Sequence, residues 1–503
     1  MFTKSSKALV AWGIFATCFI SYVLFLSGHH YSIDGMVMFQ YAKALWFNHS
    51  LKIAPAIRWG AFEHAVPQWS IGLSLAYIPL LALLSKTIFL GNSLIHTIPD
   101  PASLSYSHDL LYDPPYQYCS VLNPAITAIS AVMVYLLGIE LGLTNKRAAA
   151  AALTFGLFSP ATVYSKLDFA QPMASLFLLL NFFFLVKGEK TRGVWHLIAA
   201  GICIGLAILT RSEFMIIAPT LAASVFFMPP RPALRTRRPT GPLTQSLTFG
   251  LAVSAMVLLN QAINFLKFGS WLSAGYPLSY YLVFDPQHWL TAFVGNLVSP
   301  GRGILFFFPA SILSVVGIKK MMKTHRWFAG TALTFLAWAL LFYPIWRTWD
   351  GGICWGPRYL IPTVPYLCLF GYLALPVALN FYYKSVVGLL VGIGAIATLQ
   401  GMLFGFDFYG SLRLSSEQWQ EGLYHFSLVM SPLVGGWKGL LHPATYDIKW
   451  FHLDPSTNVK IIFPVIGTFC LILLLRSWFH FFLPSVTKVR SFNMPDTSNS
   501  SSK

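Results

Sequence analysis

The 503-residue chain is 56% hydrophobic and only 10% charged, with a formal net charge of +17, a balance far outside that of soluble globular domains. A soluble multidomain protein is disfavoured because hydrophobic stretches repeatedly approach the roughly 20 residues that a helix needs to cross a bilayer. The positive charge does not require nucleic acid, because basic residues in short loops hold those loops in the cytoplasm. The six cysteines are scattered without a C-x-x-C pair, which indicates neither a disulfide framework nor a metal site.

The apolar runs predict an all-α fold, a polytopic transmembrane protein with about twelve spans. The first run is long for a signal-peptide core and lacks an A-x-A cleavage site, so it is predicted to be a retained anchor. In chain order, the predicted spans are residues 8–27, 118–142, 148–163, 171–186, 195–210, 214–228, 246–266, 303–318, 327–345, 360–379, 385–404 and 461–475.

One further apolar run, residues 69–90, decides the topology, because every later loop changes sides if this run crosses. If it does not cross, 20 of the 34 basic residues fall on one side in roughly 80 loop residues, as the positive-inside rule expects. On the same assumption, 14 of the 17 acidic residues fall on the other side. The sequence therefore predicts that residues 69–90 lie along the outer face or re-enter, and that both termini are cytoplasmic.

Three predicted outer segments are long: 28–117, 267–302 and 405–460. Such loops are uncommon as plain connections and tend to carry function. We predict a transmembrane catalytic module over residues 1–404, an outer loop over 405–460, and a last span with its cytoplasmic tail over 461–503. A bacterial inner membrane is the predicted location, although the same charge pattern occurs in the endoplasmic reticulum.

Two acidic residues of the outer segments are candidates for chemistry. Asp34 follows the first span directly, where a carboxylate needs a partner or a purpose, although Asp34-Gly35 equally suits a structural turn. Asp168 lies in a short outer turn, and with Asp34 it would form a pair of carboxylates suited to a general base and a residue that orients an acceptor or binds a cation. Alternatively, Asp168 contacts Lys166 or caps the next helix.

Two further residues of the first outer loop, Glu63 and His64, lie among aromatic side chains and could assist proton transfer. The simpler interpretation is that they pair within the loop.

Four arginines stand at outer membrane edges, where basic residues are otherwise depleted: Arg211, Arg302, Arg347 and Arg358. Arginine among glycines suits a bidentate grip on a phosphate, whereas a lone interfacial arginine usually acts as an anchor. Four on one face favour an anionic headgroup as the ligand, and Asp350 is predicted to fix one of them. The sequence contains no phosphate-binding motif of nucleotide-dependent enzymes, so a donor that arrives through the membrane fits better.

An ordered series of short motifs resembles the GT-C superfamily of polyprenyl-phosphate-sugar-dependent glycosyltransferases, near the family 39 protein mannosyltransferases and the bacterial aminoarabinose transferases. The resemblance covers about residues 5–400. The motifs are Tyr31-Ser32-Ile33-Asp34-Gly35, Gln40-Tyr41-Ala42-Lys43-Ala44-Leu45, Ser159-Pro160 to Asp168, Leu209-Thr210-Arg211-Ser212-Glu213, Asn264 to Tyr276, Ser299-Pro300-Gly301-Arg302-Gly303 and Gly356-Pro357-Arg358-Tyr359.

The resemblance implies a catalytic carboxylate at Asp34, a second acidic site residue at Asp168, and juxtamembrane helices in the first outer loop. Two departures leave the acceptor open. The first site has a single Asp where the family usually has an acidic pair, and a large soluble C-terminal domain is not seen.

The function hypothesis is transfer of a sugar from a polyprenyl-phosphate donor to a lipid, glycan or protein acceptor at the outer face. Asp34 would act as general base, and Arg302, Arg358 and Arg211 would stabilise the phosphate leaving group, with inversion at the sugar. The sequence demands no metal, although Asp34 and Asp168 together could hold a divalent cation. The leading rival is a transporter or flippase of a lipid-linked glycan, which the scarcity of ionisable residues in the spans disfavours. A third alternative is an inactive scaffold of the same fold.

Overall fold

The structure is a computed structural model of the full chain. It describes residues 4–53, 66, 68–86, 114–191, 193–229, 241–273, 275, 278–352, 354–376, 381–404, 423–441, 446–449 and 459–482. The predicted assisting residues Glu63 and His64 lie outside these ranges.

The described residues form helices, and the β-bridges among them are two isolated ones, Leu282 with Trp346 and Phe404 with Tyr446. This confirms the all-α prediction. In chain order the α-helices are α1 Lys4–Leu24, α2 Ile33–Phe47, α3 Gly72–Lys86, α4 Pro114–Cys119, α5 Leu122–Glu140, α6 Asn145–Leu157, α7 Pro160–Tyr164, α8 Gln171–Thr191, α9 Val194–Thr210, α10 Phe214–Phe226, α11 Pro242–Phe268, α12 Leu278–Tyr281, α13 Pro286–Val298, α14 Ile304–Phe307, α15 Leu313–Thr324, α16 Arg326–Phe342, α17 Val364–Ala374, α18 Phe381–Leu403, α19 Pro432–Gly435 and α20 Val459–Phe482.

Seven helical segments of the described chain are long and apolar enough to cross a membrane, so the protein is an integral membrane protein. These segments are Ser6–Leu24, Tyr116–Glu140, Gln171–Thr191, Pro242–Phe268, Arg326–Ile345, Phe381–Leu403 and Pro464–Phe482. Helices α9 and α10 are apolar but shorter.

Three of the predicted spans are interrupted rather than continuous, and proline lies at each interruption. Helix α6 ends at Leu157 and α7 starts anew at Pro160, while a 3-10 turn over Pro309–Ile312 separates α14 from α15. The predicted span 360–379 begins as the 3-10 helix Arg358–Thr363, which contains Pro362, before α17. Proline lacks the N–H that continues a helix. The number of spans, about twelve, therefore stays a prediction.

Small side chains let the central helices pack closely. In α6, which packs on α1, α5 and α17, four alanines are fully buried: Ala148, Ala149, Ala151 and Ala152. Small residues allow helix backbones to approach closely in lipid, where packing replaces the hydrophobic effect as the driving force.

The apolar run 69–90 forms α3, which packs on α2 in a second hydrophobic cluster. Ser74 Oγ donates to the carbonyl of Met38, 2.8 Å away, and Ser70 Oγ lies 2.8 Å from Ser212 Oγ. With 15 residues, α3 is shorter than the roughly 20 needed for a span. These contacts suit a helix that packs on α2 within the predicted first outer loop. Whether it crosses the membrane stays a prediction.

The packing of α15 on α17 yields a prediction, because a Cβ at Gly317 would overlap with the backbone carbonyl of Phe370. We expect Gly317→Ala to lower the stability by about 1–3 kcal/mol, as overpacked cores do. Gly330→Ala in α16 is the matched control, because no described atom lies within 4 Å of its would-be Cβ. The midpoint of thermal unfolding in detergent measures both. Equal midpoints would show that α15 and α17 do not pack this closely.

Candidate active site

The site begins at the amino end of α2, close to the end of the first transmembrane helix. Ser32 is the N-cap, and its Oγ accepts a hydrogen bond from the backbone N–H of Gly35 at 2.9 Å. Asp34 lies in the first turn, where the helix dipole favours a negative charge. The local sequence thus starts the helix with a cap and an acid, and it fixes the backbone that carries Asp34.

Asp34 forms an ion pair with Arg358, which starts a 3-10 helix far along the chain. Asp34 Oδ2 lies 2.5 Å from Arg358 Nη2, and the side chains are 25% and 12% exposed. Arg358 Nη1 also donates to the carbonyl of Gly351 at 3.1 Å, and its guanidinium lies 3.9 Å from the ring centroid of Phe169. Burial disfavours the charged guanidinium, but several neighbours, of which the Asp34 carboxylate contributes most, together raise the pKa of Arg358 above its usual value.

Gln171, the first residue of α8, joins Arg358 to a second arginine. In the amide orientation that satisfies its neighbours, its oxygen accepts from Arg358 Nε at 3.0 Å and from Nη1 of Arg211. Arg211 follows the last residue of α9 and pairs with Glu213. Burial disfavours the charged form of Arg211, but Glu213 raises its pKa above the usual value. The ring of Tyr359 lies 5.6 Å from the Arg211 guanidinium, so the two arginines face a shared aromatic surface.

Asp168 lies behind α2 and is fully buried. Its Oδ2 lies 3.0 Å from His30 Nδ1 and accepts from the N–H of Tyr31 at 3.2 Å, while Oδ1 accepts from Ser32 Oγ at 3.0 Å. Three successive residues thus supply its donors. A Cβ at Gly35 would overlap with the Asp168 carboxylate, so this close approach requires glycine there.

Arg302 is 1% exposed, and its guanidinium is directed at main-chain carbonyls. Nη1 donates to Cys354 at 2.7 Å, and Nη2 donates to Gly352 at 2.9 Å. The loop that supplies these acceptors has positive φ at three glycines, Gly351, Gly352 and Gly356, a conformation that other residues seldom adopt. Arg302 therefore fixes the glycine loop that precedes Arg358.

Asp350 closes the same loop from the other side. Its Oδ1 accepts from the N–H of Gly352 at 3.1 Å, and its Oδ2 lies 3.3 Å from His425 Nε2. Burial opposes the charge, but the bond to His425 and the nearby Arg302 hold the pKa of Asp350 well below its usual range. Its contacts are with the loop rather than with Asp34.

The predicted site residues divide by their contacts. Asp34, Arg358 and Arg211 form a connected, partly exposed surface. Asp168 and Arg302 are buried and, with the partly exposed Asp350, hold the adjoining backbone. Arg347 lies apart, with Nε donating to the carbonyl of Tyr280 at 2.8 Å. The chemical roles assigned to all these residues stay predictions.

Sequence reasoning missed Gln171, Phe169 and His30 as members of this network. A signal was available for Gln171, because it lies at the start of a predicted span, where a buried amide needs a polar partner. Glu213 was visible two residues after Arg211, in the same short motif. His30 could not be assigned a partner, because its contact with Asp168 joins residues 138 positions apart.

The carboxylates do not fit a metal site in this arrangement. No group of three or more His, Cys, Asp or Glu side chains among the described residues could hold a metal ion. A cation at Asp34 would compete with the Arg358 guanidinium, and Asp168 already accepts from the residues before α2. We derive no step through a metal.

No family model and no curated protein matches the chain. Among solved structures it is similar to the Archaeoglobus fulgidus oligosaccharyltransferase AglB, in complex with an inhibitory peptide and a dolichol-phosphate, at 12% identity and a TM-score of 0.49. The match covers 84% of this chain and 60% of AglB. It is also similar to ArnT from Cupriavidus metallidurans bound to undecaprenyl phosphate, at 12% identity and a TM-score of 0.48, over 95% of this chain and 78% of ArnT.

The chain spans about 60% of the length of AglB. Similarity this distant does not determine activity.

The contacts of Arg302 yield a prediction. We expect Arg302→Lys to lower stability by about 1–3 kcal/mol for each buried carbonyl that loses its donor, because one ammonium cannot reproduce the planar fork. Arg347→Lys, with its guanidinium at an exposed aromatic ring, is the matched control and should change stability little. Chemical or thermal unfolding in detergent compares them. A larger loss for Arg347→Lys would contradict the role assigned to Arg302.

Proposed function

We propose that this protein is a membrane glycosyltransferase that moves a sugar from a polyprenyl-phosphate donor to an acceptor at the outer face. The observation that carries the proposal is the connected set Asp34, Arg358, Gln171 and Arg211, in which a carboxylate lies beside two linked guanidinium groups. This combination supplies both a proton acceptor and an anion-binding surface. Each is needed for transfer from a phosphate leaving group.

The two arginines suit a phosphate for electrostatic reasons. One amide holds Arg358 and Arg211 near each other, and among the described residues each guanidinium pairs with one carboxylate, Asp34 or Glu213. A phosphate between them would gain charge-assisted hydrogen bonds, and the planar guanidinium matches its oxygens. The side chains of Arg358 and Arg211 are 12% and 16% exposed, whereas Arg302 is 1% exposed. We therefore assign donor contact to Arg358 and Arg211, and support of the glycine loop to Arg302.

Asp34 is the general base of the proposed reaction. The bond between the sugar C1 and the phosphate oxygen breaks, a bond from C1 to the acceptor oxygen or nitrogen forms, and the acceptor proton goes to Asp34. The phosphate leaves with one more negative charge, which the arginines stabilise as it develops. Attack opposite the phosphate inverts the anomeric centre.

Asp168 and Asp350 act as positioning residues in this proposal. Asp168 accepts from the residues that lead into α2 and so orients Asp34, rather than touching the substrate itself. Asp350 shapes the glycine loop beside Arg358. Assistance by Glu63 and His64 remains a prediction from the sequence.

The face of the membrane follows from the predicted topology. The site lies near the C-terminal end of α1, so the chain crosses the membrane once between its N-terminus and the site. With the N-terminus in the cytoplasm, as the charge distribution predicts, Asp34 and both arginines would face the outer side. The acceptor would be a hydroxyl or an amine that reaches this side.

Removal of the base tests the reaction. We expect purified Asp34→Asn to transfer a labelled sugar from a polyprenyl-phosphate donor at least about 100-fold more slowly, the lower range for general base catalysis. Asp285→Asn is the matched control, because Asp285 caps α13 and asparagine caps helices equally well. Equal transfer by Asp34→Asn and wild type would rule out the assignment. Movement of intact donor across vesicles without transfer would favour a flippase instead.

A separate experiment tests the phosphate site. We expect Arg358→Lys and Arg211→Lys each to raise the donor KM about ten-fold, because an ammonium loses the bidentate geometry. Arg476→Lys is the control, because Arg476 belongs to α20, which packs on α1. Initial rates at varied donor concentration give both constants. A donor KM that stays at the wild-type value in both variants would remove the arginines from the proposed site.

A further inference from the structure

A short segment of the last outer loop, residues 446–449, returns to the candidate site. We refer to these residues as the strap. Their backbone bonds to two distant segments: the N–H of Asp447 donates to the carbonyl of Leu403, the last residue of α18, at 2.9 Å, and the N–H of Lys449 donates to the carbonyl of Leu26, two residues after α1, at 2.7 Å. These main-chain bonds fix the position of the strap independently of its side chains.

The carboxylate of Asp447 lies between two basic side chains. Its Oδ1 is 2.7 Å from His29 Nε2, and its Oδ2 is 3.1 Å from Lys166 Nζ. The side chain of Asp447 is 7% exposed, and that of Lys166 is fully buried. A buried carboxylate held by two basic side chains loses part of its charge compensation when either partner is removed.

Both ring nitrogens of His29 face oxygen atoms. Nδ1 lies 2.9 Å from the carbonyl oxygen of His30, and Nε2 lies 2.7 Å from Oδ1 of Asp447. The Tyr31 ring packs beside His29 at 4.9 Å, and Lys166 shares the same carboxylate. The contact joins His29 to Asp447 across 418 positions of sequence.

His29 begins the four-residue segment that leads into α2. The other three residues, His30, Tyr31 and Ser32, contact Asp168. One carboxylate thus holds the first residue of the segment and another holds the rest. Asp34 lies two residues after Ser32, so the orientation of its helix depends on both contacts.

We propose that Asp447 is a positioning residue of the transfer reaction, because its 2.7 Å contact with His29 fixes the start of α2 and thereby the direction of Asp34. This rests on the function proposed above. Asp447 touches no reacting atom in this account. It links the last outer loop to the catalytic carboxylate, a coupling that the sequence analysis did not suggest.

The test compares Asp447→Asn, His29→Gln and the double variant with wild type, and Lys438→Gln serves as a charge-loss control on the same loop. We expect each single variant to lower kcat about ten-fold with the donor KM within two-fold of wild type. The double variant should be no slower than Asp447→Asn, because that variant already lacks the contact with His29. Hydrogen exchange of the Gly35 and Met36 amides, which bond to Ser32, should become faster in all three.

Three results would overturn the inference: unchanged exchange at Gly35 and Met36, faster exchange with an unchanged kcat, or additive losses in the double variant. His29→Gln keeps the experiment decisive if Asp447→Asn fails to fold, because His29 is the more exposed partner. The exchange measurement needs no substrate. If wild type transferred no sugar, the proposed function would fail, while the exchange result would still decide whether Asp447 fixes α2.

Discussion

The burial of one carboxylate, that of Asp168, is the constraint on which the rest of the site depends. A charge removed from water is costly unless hydrogen bonds replace its hydration. The backbone of Tyr31, the hydroxyl of Ser32 and the ring of His30 supply those bonds. Because all three precede α2 directly, satisfying Asp168 also sets where that helix starts. The start of the helix in turn places Asp34, whose carboxylate contacts Arg358.

The arginines illustrate how identical residue types divide into different tasks. Arg302 donates to carbonyls of the glycine loop, so its hydrogen-bonding capacity supports backbone. Arg358 donates to one loop carbonyl and to Asp34, and it meets Arg211 through Gln171. The difference lies in the acceptors that the fold presents. Carbonyl acceptors make a rigid loop, whereas Arg358 and Arg211 share one amide and each pair with one carboxylate. A guanidinium has five N–H donors, so both retain donors that can contact an anion.

The sequence was sufficient for the all-α membrane fold, because hydropathy acts over long stretches. Charge asymmetry predicted Asp34, Arg358 and Arg211 on one side of the membrane, but it did not predict their contacts. The sequence also predicted Arg302 as a phosphate ligand, whereas the structure directs its guanidinium at main-chain carbonyls. A Gly-Arg-Gly sequence does not indicate whether the arginine faces solvent or backbone. Continuous spans were predicted over residues 148–163 and 303–318, but the hydropathy of these segments did not reveal the breaks at Pro160 and Pro309. Contacts such as His29 with Asp447 depend on the folded chain and have no local pattern.

The pairing of Asp34 with Arg358 has a consequence for the proposed chemistry. The guanidinium that would bind the phosphate also contacts the proposed base, so the charges of the two anions are coupled. During transfer, the phosphate would gain a negative charge at the same time as Asp34 takes up a proton and becomes neutral. The total negative charge facing Arg358 and Arg211 would therefore stay nearly constant while its location changes. In a partly buried site, where charge separation costs more than in water, this compensation favours proton transfer concerted with departure of the phosphate.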